Sequence, residues 1–114
     1  MSDFTRQDLY FEQLCAFYNS DRTSEIERYL SIWSAGTYIS PAHSVLDHAE
    51  RKDTDPLQYL RQAYNFNRKR AKRVPPQGYR FDGSAVYRKE DQYMIVRPDQ
   101  YGVEKVVSFG SREE

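Results

Sequence analysis

Apolar residues recur at helical spacing through the first half of the chain, in segments bounded by residues that begin or end helices. Residues 5–18 are predicted to form a helix, because Thr5 and Asp8 are spaced as in a capping box and a broad apolar face follows them. Residues 24–34 are predicted to form a second helix, which ends before Gly36.

Two further helices are predicted where a capping side chain is followed directly by proline, which favours the first helical position. This pair of residues occurs as Ser40-Pro41 and again as Asp55-Pro56. The helices that begin there are expected to run to about residues 52 and 69.

Beyond residues 74–78, whose prolines and glycine end the helical part, the pattern changes to short segments rich in Tyr, Val, Ile and Phe. The predicted strands are Tyr79–Phe81, Ala85–Arg88, Tyr93–Arg97 and Val103–Phe109. The sequence therefore predicts one α+β domain over residues 1–114. About four N-terminal helices would pack on a C-terminal antiparallel sheet of three to four strands.

Composition narrows the class of protein. The chain has 114 residues, 39% of them hydrophobic and 15% aromatic, which suits one modest core and argues against disorder. No apolar run is long enough to span a bilayer, and the N-terminus lacks the apolar segment of a secretory signal. Cys15 is the single cysteine, which excludes an internal disulfide and a Cys-based zinc site. We expect a cytoplasmic protein without a membrane partner.

The charge is distributed unevenly. Residues 1–60 hold 5 basic and 10 acidic residues, whereas residues 61–114 hold 12 basic and 7 acidic residues. Residues 61–80 include seven basic residues and no acidic one, a pattern typical of proteins that bind nucleic acid or another anion. A solvated helix end, or pairing with the acidic half, is the alternative. The predicted nucleic-acid-binding residues, here called the basic cluster, are Arg68, Lys69, Arg70, Lys72 and Arg73.

The two histidines, His43 and His48, both fall on the predicted third helix. Their spacing of five separates them by about 140° around the helix, so they are unsuited to share a metal ion. No Cys/His cluster or glycine-rich phosphate loop is present. We therefore expect neither a metal nor another cofactor, and each histidine is alternatively an ordinary surface residue.

RNA cleavage without a metal requires a base, an acid and cations that hold the phosphate. The sequence contains these residue types, with Arg97 and Lys105 as further cations and Tyr79, Tyr93 and Tyr101 for base stacking. Ordinary cross-strand packing is the alternative for Tyr87 and Tyr93. The candidate catalytic residues are His48 or His43 as base or acid, Arg80 and Arg88 as phosphate ligands, and Ser108 and Tyr87 as orienting groups.

The order of elements from residue 40 onward resembles the C-terminal RNase modules of bacterial polymorphic and contact-dependent toxins, in the barnase–EndoU–colicin–RelE-like group. His48 matches the histidine on the early helix, Ser108-Phe109 matches the end of the last strand, and Arg80 or Arg88 matches a strand cation. The resemblance implies an RNase-like module over residues 40–110, preceded by a helical extension over residues 1–39.

The match departs from the group's pattern at two motifs. Asp47-His48-Ala49 replaces the Lys-His-Gly frequent in that group, and Ser108 replaces a threonine. Both departures fall on the residues that would carry catalysis.

These features predict a small RNA-binding protein acting as a metal-independent endoribonuclease of toxin type, with tRNA or another structured RNA as partner. The alternative is a non-catalytic phage or mobile-element inhibitor that binds a host protein or nucleoprotein complex, since exposed Tyr and Arg suit a protein interface. A cognate inhibitor is a further expected partner. A DNA-binding regulator with a basic helix over residues 55–73 is a third possibility, although no helix-turn-helix spacing is recognisable.

Overall fold

Helices precede the sheet in the computed structural model, in which residues 8–74 and 83–111 are described. The described α-helices are α1 (Leu9–Cys15), α2 (Thr23–Leu30), α3 (Pro41–Arg51) and α4 (Pro56–Asn65). The described strands are β1 (Lys72–Val74), β2 (Ala85–Lys89), β3 (Gln92–Pro98) and β4 (Glu104–Ser111). Short 3-10 turns cover Ser20–Arg22 and Arg68–Arg70. The predicted α+β class is confirmed.

The predicted starts of the third and fourth helices are confirmed by their caps. The Ser40 hydroxyl accepts a hydrogen bond from the His43 amide at 3.2 Å, and the Asp55 carboxylate accepts one from the Gln58 amide at 3.1 Å. Each cap satisfies an amide that the helix itself leaves unpaired. In α1 the cap is Asp8, which accepts from the Tyr10 amide at 3.0 Å. The helix therefore begins at residue 9, and the predicted start at Thr5 lies outside the described residues.

The second helix ends earlier than predicted because the chain after α2 pairs with the sheet. The Val106 amide donates to the Ile32 carbonyl at 2.7 Å, and the Ser34 amide donates to the Val106 carbonyl at 2.8 Å. Trp33 thereby forms a parallel bridge to Val106 at the free edge of β4. Because the Ile32 carbonyl and the Ser34 amide bond to β4, they are not available for the hydrogen bonds of a longer helix.

The fourth helix also ends early, at Asn65 rather than near residue 69. Phe66 leaves the helix with extended backbone angles, and its ring packs against Phe109 of the sheet at 5.7 Å between centroids. The chain then continues through a 3-10 turn into β1. The sequence did not predict this strand, because basic residues are also typical of the end of a helix. The predicted strand Tyr79–Phe81 lies outside the described residues.

The described strands form one antiparallel sheet in the order β1-β2-β3-β4. Between β3 and β4 the register shifts, because Ile95 lies opposite Ser108 while Val96 lies opposite Val106. Val107 is therefore the extra residue of a β-bulge. The bulge lets both Val106 and Phe109 face the helices, and it turns Ser108 to the opposite face.

One face of the sheet packs against the helices, as predicted, and we call it the inner face. Its buried residues are Ala85, Met94, Val96, Val106 and Phe109, which belong to the same core as Leu14, Ile26, Val45 and Leu60 of the helices. Burial of each of these side chains larger than alanine stabilises the fold by about 1.5–3 kcal/mol. Side chains at the alternate positions form the outer face, which includes Arg88, Tyr93, Arg97 and Ser108.

None of the helices within residues 8–74 and 83–111 combines the length and apolar character that a bilayer crossing requires.

Candidate active site

A cleft of about 320 Å³ lies where α3 and the loop after α2 meet the outer face of β3 and β4. Its lining includes His48 of α3, Tyr38 of the loop, and Arg97 and Ser108 of the sheet. We call it the His48 cleft. It brings together an imidazole, a guanidinium and a hydroxyl that are far apart in the sequence.

The imidazole of His48 is held in one orientation by its own helix. Its Nδ1 lies 2.8 Å from the Ser44 carbonyl oxygen and 3.2 Å from the Ser44 hydroxyl. A carbonyl oxygen only accepts, so Nδ1 carries the proton, and in the neutral ring Nε2 keeps its lone pair. This is the tautomer that a general base needs at Nε2.

Burial lowers the pKa of His48 below its ordinary value of 6.5, although the hydrogen bond to the Ser44 carbonyl partly opposes the change. Lys52 lowers this pKa further through charge repulsion. The neutral form of the ring is therefore favoured at neutral pH, which again suits a base rather than a permanently charged phosphate ligand.

Two tyrosines enclose the imidazole. The Tyr38 ring meets His48 edge-on at 5.7 Å between centroids, and the Tyr59 ring lies nearly parallel to it at 6.4 Å. The neighbouring carboxylate of Asp47 accepts a hydrogen bond from the Tyr38 hydroxyl and pairs with Arg51 at 3.0 Å. Asp47 is thus engaged with these two groups, and it holds Tyr38 beside the cleft.

Tyr59 connects α4 to the strand that carries Ser108. Its buried hydroxyl donates to the Phe109 carbonyl at 3.0 Å and accepts from the Phe109 amide at 3.2 Å. Burial raises the pKa of Tyr59 far above its usual range, against opposing hydrogen bonds from the Phe109 backbone and the Ser108 side chain. The hydroxyl therefore remains protonated and fixes β4 at the floor of the cleft.

His43 does not reach the His48 cleft. Its ring stacks on Tyr10 with 4.0 Å between centroids, and its Nδ1 accepts a hydrogen bond from the Ile39 amide at 3.3 Å. The difference follows from their separation around the helix, which turns the two rings to different sides. His43 packs α1 and the loop against α3, so the prediction that it shares the site is not met.

Tyr87 lies on the inner face, away from His48. Its hydroxyl donates to Glu104 at 2.7 Å, and the same carboxylate pairs with Arg73 at 2.7 Å and Arg68 at 4.0 Å. Burial alone would raise the pKa of Glu104, but the hydrogen bonds from Arg73 and Tyr87 hold it below its usual range. The expected role of Tyr87 in the site is thus corrected, because strand alternation separates its side chain from the cleft.

Arg68 and Arg73 therefore pair with Glu104, which belongs to the basic half of the chain and not to the acidic half that the alternative interpretation named. The remaining members, Lys69, Arg70 and Lys72, are exposed, and none of them forms an ion pair within residues 8–74 and 83–111. The basic cluster is thus divided into two paired arginines and three exposed cations.

Of the two arginines predicted to hold the phosphate, one lies outside the cleft and the other outside the described residues. Arg88 is exposed on the outer face of β2, two strands away from Ser108, and it is not part of the lining. Arg80 lies outside the described residues. Arg97 lines the cleft instead. Tyr93, Ile95 and Arg97 alternate along β3, so the sequence already indicated that these three side chains share one face of the strand.

In the part of the chain that the structure describes, no group of three or more His, Cys, Asp or Glu side chains is placed to hold a metal ion.

Comparison with protein-family models, with curated proteins and with solved structures identifies no match to this chain.

Proposed function

We propose that this chain is a small RNA-binding protein that cleaves RNA without a metal, with the His48 cleft as its active site. The observation that carries the proposal is that His48, Arg97 and Ser108 line one cleft. Cleavage through the 2′-hydroxyl requires a base, an acid and a cation at the phosphate. In this proposal His48 is the base, Arg97 is the cation and solvent is the acid, while Ser108 adds a hydrogen bond.

The proposed reaction begins at Nε2 of His48, which takes the proton of the ribose 2′-hydroxyl. The 2′-oxygen then forms a bond to the adjacent phosphorus, and the bond from phosphorus to the 5′-oxygen breaks. The leaving 5′-oxygen takes a proton from solvent. The products are a 2′,3′-cyclic phosphate and a 5′-hydroxyl, and no oxidant or metal is consumed.

Arg97 and Ser108 act on the phosphate in this proposal. The guanidinium of Arg97 stabilises the charge that builds up on the non-bridging oxygens, and the Ser108 hydroxyl donates a hydrogen bond to one of them. Residues 40–110 then correspond to the RNase-like module suggested by the sequence resemblance, with Arg97 in the place expected for Arg80 or Arg88.

The test is cleavage of a labelled RNA in EDTA by the wild-type chain and by matched variants. His48→Asn keeps a donor toward the Ser44 carbonyl but removes the base, so cleavage is expected to fall by about 10²- to 10⁴-fold. His43→Asn is the control, since His43 lies outside the cleft, and it should cleave within a few-fold of wild type. A wild-type protein that releases no cyclic phosphate, or equal loss in both variants, overturns the proposal.

Binding of a host protein is the second candidate function, and exposed apolar residues favour it. Leu9 is 69% exposed and Phe17 is 64% exposed, and Phe17 borders an apolar groove of about 630 Å³ that also contacts Leu46 and Pro56. A chain that is inert toward RNA but forms a defined complex lost in Phe17→Ser would support this function. Retention of the complex in Phe17→Ser would count against it.

A further inference from the structure

A row of residues with a net positive charge crosses the outer face of the sheet. Lys72 of β1 lies opposite Arg88 of β2, Arg88 opposite Tyr93 of β3, and Tyr93 opposite Gly110 of β4. Neighbouring strands are about 4.8 Å apart, so these four positions extend over about 14 Å. Residues opposite one another share a face, and the row therefore forms one continuous strip of surface.

Lys52, at the end of α3, joins the strip at Gly110. A Cβ atom on Gly110 would lie 2.8 Å from the Tyr93 hydroxyl and 2.9 Å from Lys52 Nζ, so both groups close over the glycine. Lys52 Nζ is also 5.9 Å from the centre of the Tyr93 ring. The tip of Tyr93 thus reaches over β4, and its ring extends along the sheet. We call Lys52, Lys72, Arg88, Tyr93 and Gly110 the basic row.

The positive charge of the row is not neutralised by the sheet. Among the described strand residues, no Asp or Glu takes a register position on the outer face, whereas Glu104 faces inward and pairs with Arg73. Lys72 and Arg88 are exposed and form no ion pair within the part of the chain that the structure describes. Exposed cations without counter-charges, next to an aromatic ring, favour an anionic polymer with flat rings.

We propose that the basic row binds an unpaired segment of RNA. One base stacks on Tyr93, while phosphates on either side of it contact Arg88 and Lys52. Every nucleobase offers a flat face, so stacking on one tyrosine selects unpaired RNA without selecting its sequence. In a duplex the bases are already stacked on one another, so no base presents a free face on which Tyr93 could stack.

The inference rests on the proposed function for what happens next to the row. Ser108 and Gly110 are both on the outer face of β4, two residues or about 6.6 Å apart, so the row borders the His48 cleft. An RNA strand bound on Tyr93 and Lys52 thus brings a neighbouring phosphate to His48. Attack by a 2′-oxygen in line with the leaving group needs a flexible nucleotide, which an unpaired segment supplies and an A-form duplex does not.

The test is fluorescence anisotropy with a labelled 12-nucleotide single strand and with the duplex of the same sequence. Binding is measured in EDTA on His48→Asn protein, so that the RNA stays intact. We expect tighter binding of the single strand than of the duplex. Tyr93→Leu keeps apolar volume but removes the ring, and it should weaken single-strand binding about 10-fold.

A matched pair of double variants tests whether RNA binding depends on the basic row itself or only on the total positive charge of the protein. Lys72→Gln with Arg88→Gln removes two cations from the row, whereas Lys69→Gln with Arg70→Gln removes two exposed cations from the turn before β1. The row variant should bind at least about 10-fold more weakly at moderate salt. Its logarithmic salt dependence should become shallower by about 2. The turn variant should stay within about 3-fold of its parent.

Three results would overturn the inference: equal losses in the two double variants, preference for the duplex, or unchanged binding by Tyr93→Leu. The proposed function fails separately, when wild type binds RNA through the row but yields no cyclic phosphate. Conversely, if cleavage depends on His48 but the row variants bind RNA normally, the proposed function holds and the binding role of the basic row is overturned. Circular dichroism spectra matching those of wild type are required of every variant.

Discussion

The Tyr59 hydroxyl holds both backbone polar groups of Phe109, donating to the carbonyl at 3.0 Å and accepting from the amide at 3.2 Å. Phe109 is in the last strand, whose outer edge pairs with residues 32–34 at Val106 but has no strand beside Phe109 among the described residues. The hydroxyl therefore replaces the partner that a further strand would supply, and it does so beside Ser108. This contact fixes the position of β4 relative to the helix that carries Tyr59.

Tyr59→Phe tests that contact. The variant keeps the ring but leaves a buried amide and carbonyl of Phe109 without their partner, which should lower the free energy of unfolding by about 1–3 kcal/mol. Urea denaturation monitored by circular dichroism measures the change. Tyr64→Phe, at a tyrosine that is 39% exposed, is the control and should change stability by less than about 0.5 kcal/mol. Equal effects in both variants would contradict the bridging role of Tyr59.

Gly110→Ala is predicted to affect RNA binding more than stability. The added Cβ would meet the Tyr93 hydroxyl at 2.8 Å and Lys52 Nζ at 2.9 Å, and both are ends of flexible side chains that can move aside. The melting temperature should fall only slightly, while single-strand affinity should drop several-fold because the Tyr93 ring and the Lys52 amine are displaced. Ser111→Ala, at the exposed neighbouring residue, should leave both quantities unchanged. A large loss of stability in Gly110→Ala would place the glycine in the core instead.

The pH dependence of stability follows from the state of His48. Burial holds the pKa of His48 in the folded chain below 6.5, its ordinary value in the unfolded chain. Between the folded and the unfolded pKa, the unfolded chain therefore binds more protons than the folded one. The stabilisation is therefore present above pH 6.5 and is lost as the pH falls toward the folded pKa. Urea unfolding from pH 7.5 to pH 5 should give a steeper decline for wild type than for His48→Asn. Parallel curves would show that the imidazole is not shifted.

The acidic end of the same experiment reports on Glu25. Hydrogen bonds from Arg61 and Tyr29 lower the pKa of Glu25 from 4.5 to about 2. The contribution of this carboxylate is present above pH 4.5 and is lost as the pH falls toward 2. Glu25→Gln should therefore lower the urea midpoint at pH 7 and match wild type near pH 2. Glu12→Gln, at an exposed position on α1, is the control and should follow the wild-type curve throughout.

Local signals accounted for much of the fold. Ser40 and Asp55 each cap a helix by bonding an amide three residues later, and such a contact depends on a few adjacent residues. The hairpin of β2 and β3 was likewise readable from two alternating segments separated by a short polar turn. The ends of α2 and α4 were placed too far along, because distant partners in β4 bind the backbone of Ile32 and Ser34 and pack against the ring of Phe66.

The candidate site was readable only in part. His48 and Ser108 were singled out by residue type and resemblance, and they do line one cleft. Which arginine joins them depends on strand register, and the bulge at Val107 decides that Ser108 faces the same side as Arg97. Tyr87 and Arg88 are adjacent in the chain, yet alternation turns them to opposite faces, where one binds Glu104 and the other remains exposed.

The sequence by itself determined the α+β class, the starts of α3 and α4, the hairpin strands and the surplus of cations in the second half. These properties depend on hydrogen bonds and periodicities that span a few neighbouring residues. Only the tertiary structure decided that His48 borders the sheet while His43 packs on Tyr10, and that Lys52 closes over Gly110 beside Tyr93. Such contacts join groups tens of residues apart, and they arise from register, a bulge and helix packing, which no short stretch of sequence specifies.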